Sequence, residues 1–254
     1  MIPLFKHILH SLVQSTFPTH LHGRKRVLFD DVFKYVMYIL RTGCQWRSLV
    51  TSNVSWQTIH RHFCAWSRKG LIEHAYYKLV SIYLQRIGNQ QRHIITDTSF
   101  IKNVNGIDCV GPSSVDRGRK ATKISIITDE LGVTLGVTFH RGNKCDYKAF
   151  LHTFDQMRRR FGKFMEGRVF YADKAYDNRR CASAISKSSL TNNCCRRKSP
   201  PNPSNTKPRI VVEHVFSWLD KFRRLFVRYE KQIVHHKSLT FIALAHRLEK
   251  ILVV

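Results

Sequence analysis

The first third of the chain carries apolar side chains at intervals of three and four residues, the period of an amphipathic helix. One such stretch covers 27–42 and stops before Gly43, a second follows Ser55 and stops at Gly70, and a third covers 72–87. Serine is a preferred residue at the start of a helix, and glycine commonly ends one. The pattern predicts three short helices that resemble a helix-turn-helix module, although a helical subdomain with no DNA role would show the same spacing.

Beyond residue 92 the pattern changes to short, β-branched apolar runs, which predict strands. A polar segment over 188–208 lacks any apolar period and predicts a loop. The order β-β-β-α-β-α-α favours an α/β fold with a mixed sheet covered by helices, so we expect a helical part over 1–92 and an α/β domain over 93–254. The expected strands cover 93–99, two runs within 121–140 joined by a turn at 129–132, and 168–172, and the expected helices cover 146–161, 178–187 and 210–226.

The net charge of the chain indicates the class of its binding partner. The 254 residues include 43 Lys and Arg against 17 Asp and Glu, a net charge of +26. Such a charge favours a polyanion, and nucleic acid is the leading candidate. An anionic membrane is the rival, but the sequence shows no basic amphipathic helix and no long uncharged apolar run. The opening stretch does not read as a signal peptide, and seven cysteines without a CxxC pair favour a reducing, cytoplasmic compartment.

Few carboxylates occupy positions suited to chemistry. Asp97 and Asp173 each close an apolar run, where a rigid strand would hold the side chain in place. Glu213 lies at the edge of the apolar stripe of the last expected helix. The plain alternatives are a turn or N-cap aspartate for the first two, and a helical ion pair with Arg209 for Glu213. Asp129 opens the expected two-strand turn and needs no further explanation.

Three converging carboxylates would repel one another unless cations neutralise them. Oxygen ligands without a cluster of cysteine or histidine suit Mg²⁺ or Mn²⁺ rather than Zn²⁺. Two such ions can activate a nucleophile and stabilise the leaving oxygen of a phosphodiester. A basic chain with this set of residues is therefore a candidate nuclease or strand transferase.

Six sequence blocks follow one another along the chain: YILRTGCQWRSL (38–49), TDTSFIK (96–102), RGRKATKISIITDELGVTLGV (117–137), HRGNKCDYKAF (140–150), YADKAYD (171–177) and VVEHVFSWLDKFRRLFVRYE (211–230). In this order they resemble the DDE transposases of bacterial insertion sequences, especially the insertion sequence 5 group, which is related to Harbinger-type transposases. The resemblance implies a ribonuclease H-like fold and places the acidic triad of the family on Asp97, Asp173 and Glu213.

The chain departs from this family at two places. The last helix of the family carries a Tyr, Arg, Glu and Lys at set spacing, and here Arg209 and Glu213 match. Thr206 stands where the Tyr is expected, and Asp220 stands where the Lys is expected, with Lys221 one place later. The polar segment 188–208 also differs from the short apolar strand and basic loop of the family.

The resemblance implies a transposase that uses Mg²⁺ or Mn²⁺ to cut and transfer transposon DNA ends. Its implied partners are double-stranded DNA, as terminal inverted repeats and target, and further copies of itself, so we expect a cytoplasmic, DNA-associated homo-oligomer. Two alternatives remain: a domesticated or decayed DNA-binding protein without catalysis, and a non-specific metal-dependent nuclease.

Basic residues near Glu213 are the candidate DNA contacts: Arg209, Lys221, Arg224 and Arg228. On one continuous helix, Arg224 and Arg228 would share a face, whereas Arg223 would be rotated towards the sheet. The runs at 158–160 and 195–198 are weaker candidates, with a solvated surface as the default. The pairs His60/His62 and His235/His236 suggest a metal only weakly, since ordinary packed histidines are more common.

Overall fold

Helices precede the sheet in the computed structural model, which describes residues 2–18, 27–52, 54–88, 93–196 and 207–253. The three predicted helices are confirmed, and a further helix comes before them. In chain order these are α1 (Pro3–Thr16), α2 (Phe29–Thr42), α3 (Trp56–Arg68) and α4 (Leu71–Ile87).

The predicted end of α2 and the predicted start of α3 are confirmed. Gly43 has a φ of 71° at the end of α2, a left-handed conformation that favours glycine. The Ser55 hydroxyl accepts a hydrogen bond of 3.3 Å from the Thr58 N–H at the start of α3. The sequence analysis did not predict α1, which buries Phe5 and Leu9 despite the Lys and His residues between its apolar positions.

A mixed sheet forms the centre of the α/β part. The five principal strands lie in the order β4-β3-β1-β5-β6, in which β1, β3 and β4 pair antiparallel while β1, β5 and β6 pair parallel. Short strands β2 and β7 extend β3 and β1. The strands are β1 (His93–Asn103), β2 (Gly111–Pro112), β3 (Lys120–Asp129), β4 (Thr134–Arg141), β5 (Val169–Tyr171), β6 (Thr191–Asn192) and β7 (Val227–Arg228).

Helices cover both faces of this sheet. Helix α5 packs on the face of Thr98 and Ser125, where its Thr153 hydroxyl donates to the Ser125 hydroxyl at 2.9 Å. Helix α7 contacts β1 and β3, and alternation along β1 places Asp97 on the face opposite Thr98. The helices are α5 (Asp146–Phe161), α6 (Arg179–Ser186), α7 (Ile210–Asp220), α8 (Arg223–Phe226) and α9 (Ile233–Val253).

Two predicted elements differ from the structure. The helix expected over 210–226 breaks after Asp220, because Phe222 adopts an extended backbone with φ −88° and ψ 102° before α8 begins. The loop expected over 188–208 contains β6, while residues 197–206 lie outside the described part of the chain. The other predicted strands and helices are confirmed within a few residues, as is the α/β fold with helices on both faces.

The N-terminal helices and the sheet share one apolar core. The Tyr76 hydroxyl of α4 donates to the Thr134 carbonyl at 2.7 Å, and the Tyr83 hydroxyl donates to Asp129 at 2.5 Å. Helix α9, which the sequence analysis did not predict, packs against α4. A domain boundary near residue 92 therefore stays a prediction. Across the described residues no helix is both long and apolar enough to cross a membrane.

Candidate active site

Asp97 lies in the middle of β1, which continues to Asn103, so the prediction that it closes a strand is wrong. The neighbouring strand β5, by contrast, ends at Tyr171. The parallel register pairs Ile95 with Tyr171. Asp97 comes two residues after Ile95, and Asp173 comes two residues after Tyr171. Because side chains alternate along a strand, both carboxylates are expected on the side of the sheet that Ile95 and Tyr171 share.

Asp173 follows β5 after one intervening residue, as predicted. Its carboxylate accepts a hydrogen bond of 2.6 Å from the Lys174 N–H and so caps the short 3₁₀ turn Lys174–Tyr176. The same oxygen lies 3.4 Å from the Arg209 guanidinium. The N-cap alternative is thus also realised, and it leaves the side chain 45% exposed and open to further contacts.

Glu213 lies in the first turn of α7 with its side chain exposed. Arg209, immediately before that helix, forms its ion pair with Asp173 rather than the predicted helical pair with Glu213. Arg209 therefore links the start of α7 to the end of β5. Its own side chain is only 18% exposed, so the link crosses a largely covered part of the surface.

The pKa of Asp97 responds to the charges of Asp173, Glu213 and Arg209. Burial raises the pKa of Asp97 to about 6, and the negative charges of Asp173 and Glu213 add to that rise. The Thr98 N–H, at 2.8 Å, and the positive charge of Arg209 act in the opposite direction. Asp173, Glu213 and Arg209 thus lie near enough to Asp97 for their charges to act on it, and the assignment of the three carboxylates to one catalytic site stays a prediction.

This donor set fits a hard divalent cation in its chemistry. Carboxylate oxygens are what Mg²⁺ and Mn²⁺ prefer, and a buried carboxylate with a raised pKa gains from a nearby positive charge. Among the described residues, however, no group of three or more His, Cys, Asp or Glu side chains is gathered closely enough to hold a metal ion. Asp97, Asp173 and Glu213 would hold the ion only after their side chains draw together.

Comparison with known families decides what kind of site this is. The family described as "Transposase DDE domain" matches residues 88–248. A second family, described as a putative transposase of the IS4/5 family, matches residues 7–76. This chain belongs to the DDE transposase family.

Individual relatives agree with that assignment over part of their length. The putative transposase of insertion sequence element IS402 from Burkholderia cepacia is 31% identical over 130 residues, which is 50% of this chain and 62% of that relative. The chain thus matches somewhat under two thirds of that curated relative.

Solved transposase structures align only loosely with this DDE domain. The catalytic domain of Mos1 mariner transposase has a TM-score of 0.33 at 16% identity, covering 69% of this chain and 89% of that one. The piggyBac transposase synaptic complex has a TM-score of 0.46 at 10% identity, covering 98% and 73%. The family assignment accordingly rests on the match of sequence.

Two of the predicted DNA contacts of this DDE domain are buried. Arg224 is 6% exposed, with its guanidinium 2.7 Å from Glu230 and 3.2 Å from the Cys44 carbonyl. Arg228 is fully buried and lies in β7 rather than on a helix with Arg224. Its guanidinium pairs with Asp108 and donates to carbonyl and hydroxyl oxygens around it. The expectation that both contact DNA is corrected, because protein groups occupy their donors.

Of the remaining basic candidates in the transposase domain, Lys221 and Arg223 are exposed, whereas the side chain of Arg209 is only 18% exposed. Lys221 is exposed, 5.6 Å from the centre of the Trp218 ring. Arg223, expected to cover the sheet, is exposed as well. Of the two departures from the family pattern, Asp220 ends α7 on its exposed side, and Thr206 lies outside the described residues.

A partly buried polar network on the face of β1 opposite Asp97 was missed by the sequence analysis. The Thr98 hydroxyl donates to Asp146 at 2.9 Å, and the Lys123 ammonium lies 2.5 Å from the same carboxylate. The Lys123 side chain is only 5% exposed. A lysine inside the apolar run of β3 was the available signal, because a buried charge requires a partner.

The weaker candidates remain ordinary parts of the fold. His235 and His236 are buried in α9, and the metal suggested by the histidine pairs finds no group of ligands in the described part of the chain. The arginines at 158–160 are exposed, and each lies within ion-pair distance of Asp155 or Glu73. Of the run 195–198, only the first two residues are described.

Proposed function

We propose that this chain is a transposase that cuts DNA at the ends of its element and joins those ends to a target, using Asp97, Asp173 and Glu213. The observation that supports the proposal most is the parallel pairing of β1 and β5 up to Ile95 and Tyr171, two residues before Asp97 in β1 and two residues before Asp173, which follows β5. A site on rigid strands keeps its geometry through the reaction.

The residues of the site have separate tasks. Asp97, held in mid-strand, and Asp173, fixed by the Lys174 N–H, present oxygens to Mg²⁺ or Mn²⁺, and Glu213 completes the set from α7. When bound, such ions activate the attacking oxygen and stabilise the leaving one. Arg209, 3.4 Å from Asp173, neutralises part of the carboxylate charge.

The proposed partner is duplex DNA, as the terminal inverted repeats of the element and as a target, bound by a homo-oligomer. The charge of +26 favours long-range attraction to phosphates. In the helical part over 1–92, α3 presents Arg61 and Arg68 on its exposed face, whereas α4 is buried along much of its length. We therefore favour α3 as the helix that meets DNA, with Arg209, Lys221 and Arg223 as contacts near the site.

The substitutions Asp97→Asn, Asp173→Asn and Glu213→Gln test this function. Each is expected to reduce Mg²⁺-dependent cleavage of an end-containing duplex by about a thousand-fold, the scale of losing one electrostatic group in a reaction centre. DNA binding should persist, since removing an anion from a basic surface favours a polyanion. Glu166→Gln, an exposed carboxylate before β5, is the matched control and should cut normally.

A DNA-binding protein without catalysis is the second candidate. It is favoured by the three carboxylates not being gathered into a metal-holding group and by Asp220 standing where the family has Lys. Wild-type protein that binds end DNA but never cuts it with Mg²⁺ or Mn²⁺ would establish this candidate. Equal cutting of ends and unrelated duplex would instead indicate a non-specific nuclease.

A further inference from the structure

A groove of about 590 Å³ runs between α5 and α6, outside the carboxylate site. Each helix lines it with residues at i, i+3, i+4 and i+7, the spacing of a single helix face. From α5 these are Leu151, Phe154, Asp155 and Arg158, and from α6 they are Arg180, Ser183, Ala184 and Lys187.

The walls of the groove are basic. Asp155, its lone carboxylate among the lining residues, already lies 2.7 Å from Arg159 and 3.5 Å from Arg158. Arg179, Arg180 and Lys187 are exposed, and none forms an ion pair with any acidic side chain in the described residues. The groove thus presents a surplus of positive charge that the protein itself leaves unneutralised.

The spacing of these cations suits a DNA backbone. Arg180 and Lys187 are seven residues apart, which on a helix is about 10 Å along the axis. Phosphates of one strand follow one another at about 3.4 Å along the duplex axis, so the two side chains span about three phosphates. Between them, Ser183 and Ala184 are small enough for a sugar–phosphate chain to approach α6 closely.

Helix α6, one wall of the groove, follows Asp173 closely along the chain. The 3₁₀ turn after Asp173 leads to Asn178, whose side chain accepts from the Cys181 N–H and caps α6. Arg179 and Arg180 follow in the first turn of that helix.

We propose that the α5–α6 groove binds the sugar–phosphate backbone of duplex DNA, with Arg180 and Lys187 as its phosphate contacts. This inference rests on the proposed function, because it takes DNA as the partner. The surplus of cations favours DNA over an acidic protein segment in a chain that is itself poor in acids.

The double variant Arg180→Gln/Lys187→Gln tests the groove. Both side chains are exposed, and glutamine keeps helix propensity, so folding should be unchanged, as thermal melting would verify. Binding to a labelled end-containing duplex is measured by fluorescence anisotropy across a salt series. The slope of log K against log salt should fall by about 0.9 for each lost phosphate contact, or about 1.8 in total.

The matched control is Lys78→Gln/Lys163→Gln, which removes two exposed cations near the other end of α5. It should retain the wild-type slope. Ser183→Glu, which places an anion within the groove, should weaken binding at every salt concentration below that of the wild type. The proposal would be overturned if Arg180→Gln/Lys187→Gln kept the wild-type salt slope and Ser183→Glu kept the wild-type affinity. The groove would then not be a DNA-binding surface.

Two reactions identify which DNA enters the groove. A loss confined to cleavage of end duplexes assigns it to the DNA of the element, and a loss confined to joining pre-cut ends into a plasmid assigns it to the target. Either result supports the groove. Asp97→Asn run in parallel separates this inference from the proposed function, because it should stop cutting while keeping the full salt slope.

Discussion

His236 lies within α9 with none of its surface exposed, and neither ring nitrogen has a hydrogen-bond partner in the described structure. Burial lowers the pKa of its imidazole to about 3, and the nearby charges of Arg228 and Arg224 lower it further. The folded state therefore holds His236 neutral, whereas the unfolded chain takes up a proton below its ordinary value of 6.5. The stability associated with this residue is complete above that pH and is lost as the pH falls towards 3.

The substitution His236→Leu should remove this dependence. Between pH 6 and pH 4 the free energy of unfolding of the wild type should fall more steeply than that of the variant, by about 1.4 kcal/mol per pH unit, the effect of one proton. At pH 7 the variant should be at least as stable, because leucine leaves no unpaired polar atom. Urea unfolding at a series of pH values measures both, and parallel pH profiles would contradict the argument.

Among the elements, the break between α7 and α8 changes which side chains are available. A continuous helix would have placed Arg224 and Arg228 on one face, but α8 instead packs against the end of α2. Arg224 ties the two together, because it pairs with Glu230 and donates to the Gly43 and Cys44 carbonyls. A side chain added at Gly43 would come within 2.9 Å of Arg223 Cβ, so the contact also requires glycine there.

Arg224→Met should therefore destabilise the protein rather than weaken DNA binding. Removing one partner of a buried ion pair leaves the other unpaired, at a cost of about 3–5 kcal/mol. Arg223→Met, one position earlier and exposed, should change stability by about 0.5 kcal/mol or less. The double variant Arg224→Met/Glu230→Gln should recover part of the loss. Chemical unfolding distinguishes these outcomes, and equal stability of the two single variants would refute the assigned role.

On the scale of the whole molecule, the N-terminal helices rest on the β3–β4 end of the sheet. Asp129 is fully buried there, and it accepts bonds from the Tyr83 hydroxyl and from the Leu131 and Val133 N–H groups. Burial raises the pKa of this carboxyl to about 6, whereas its hydrogen bonds favour the ionised form. The helical part and the sheet are thus joined through a carboxylate whose charge depends on Tyr83.

Tyr83→Phe should lower the free energy of unfolding by about 1–3 kcal/mol at pH 8, the cost of an unmet buried acceptor. The loss should shrink below the pKa of about 6, where Asp129 is protonated and no longer needs the donor. Tyr38→Phe, at an exposed position, is the control. Unfolding followed by tryptophan fluorescence, at both pH values, would show this difference. A loss of equal size at pH 4.5 and pH 8 would argue against the coupling.

Local pattern was enough to predict most elements, and it singled out Asp97, Asp173 and Glu213 as candidates whose role stays a prediction. The apolar period of α2 to α5 repeats within a few residues, and the strands that bear Asp97 and Asp173 are apolar runs in a charged chain. Such signals depend on neighbours in sequence, which decide backbone conformation by themselves. The α1 and α9 helices were missed because Lys6, His7 and His10 interrupt the apolar spacing of α1, and because α9 is buried around most of its circumference and so lacks a one-sided apolar stripe.

What only the tertiary structure decided is the partner of each charge. Arg209 pairs across 36 positions with Asp173, Arg224 donates across 180 positions to Cys44, and Arg228 pairs across 120 positions with Asp108. Three arginines that look alike in sequence thus differ in place: Arg209 pairs with Asp173 after β5, Arg224 links α8 to the end of α2, and Arg228 is buried beside β1. The reason is physical: side-chain periodicity encodes which face of an element is apolar, whereas desolvation and ion pairing depend on which distant elements meet that face.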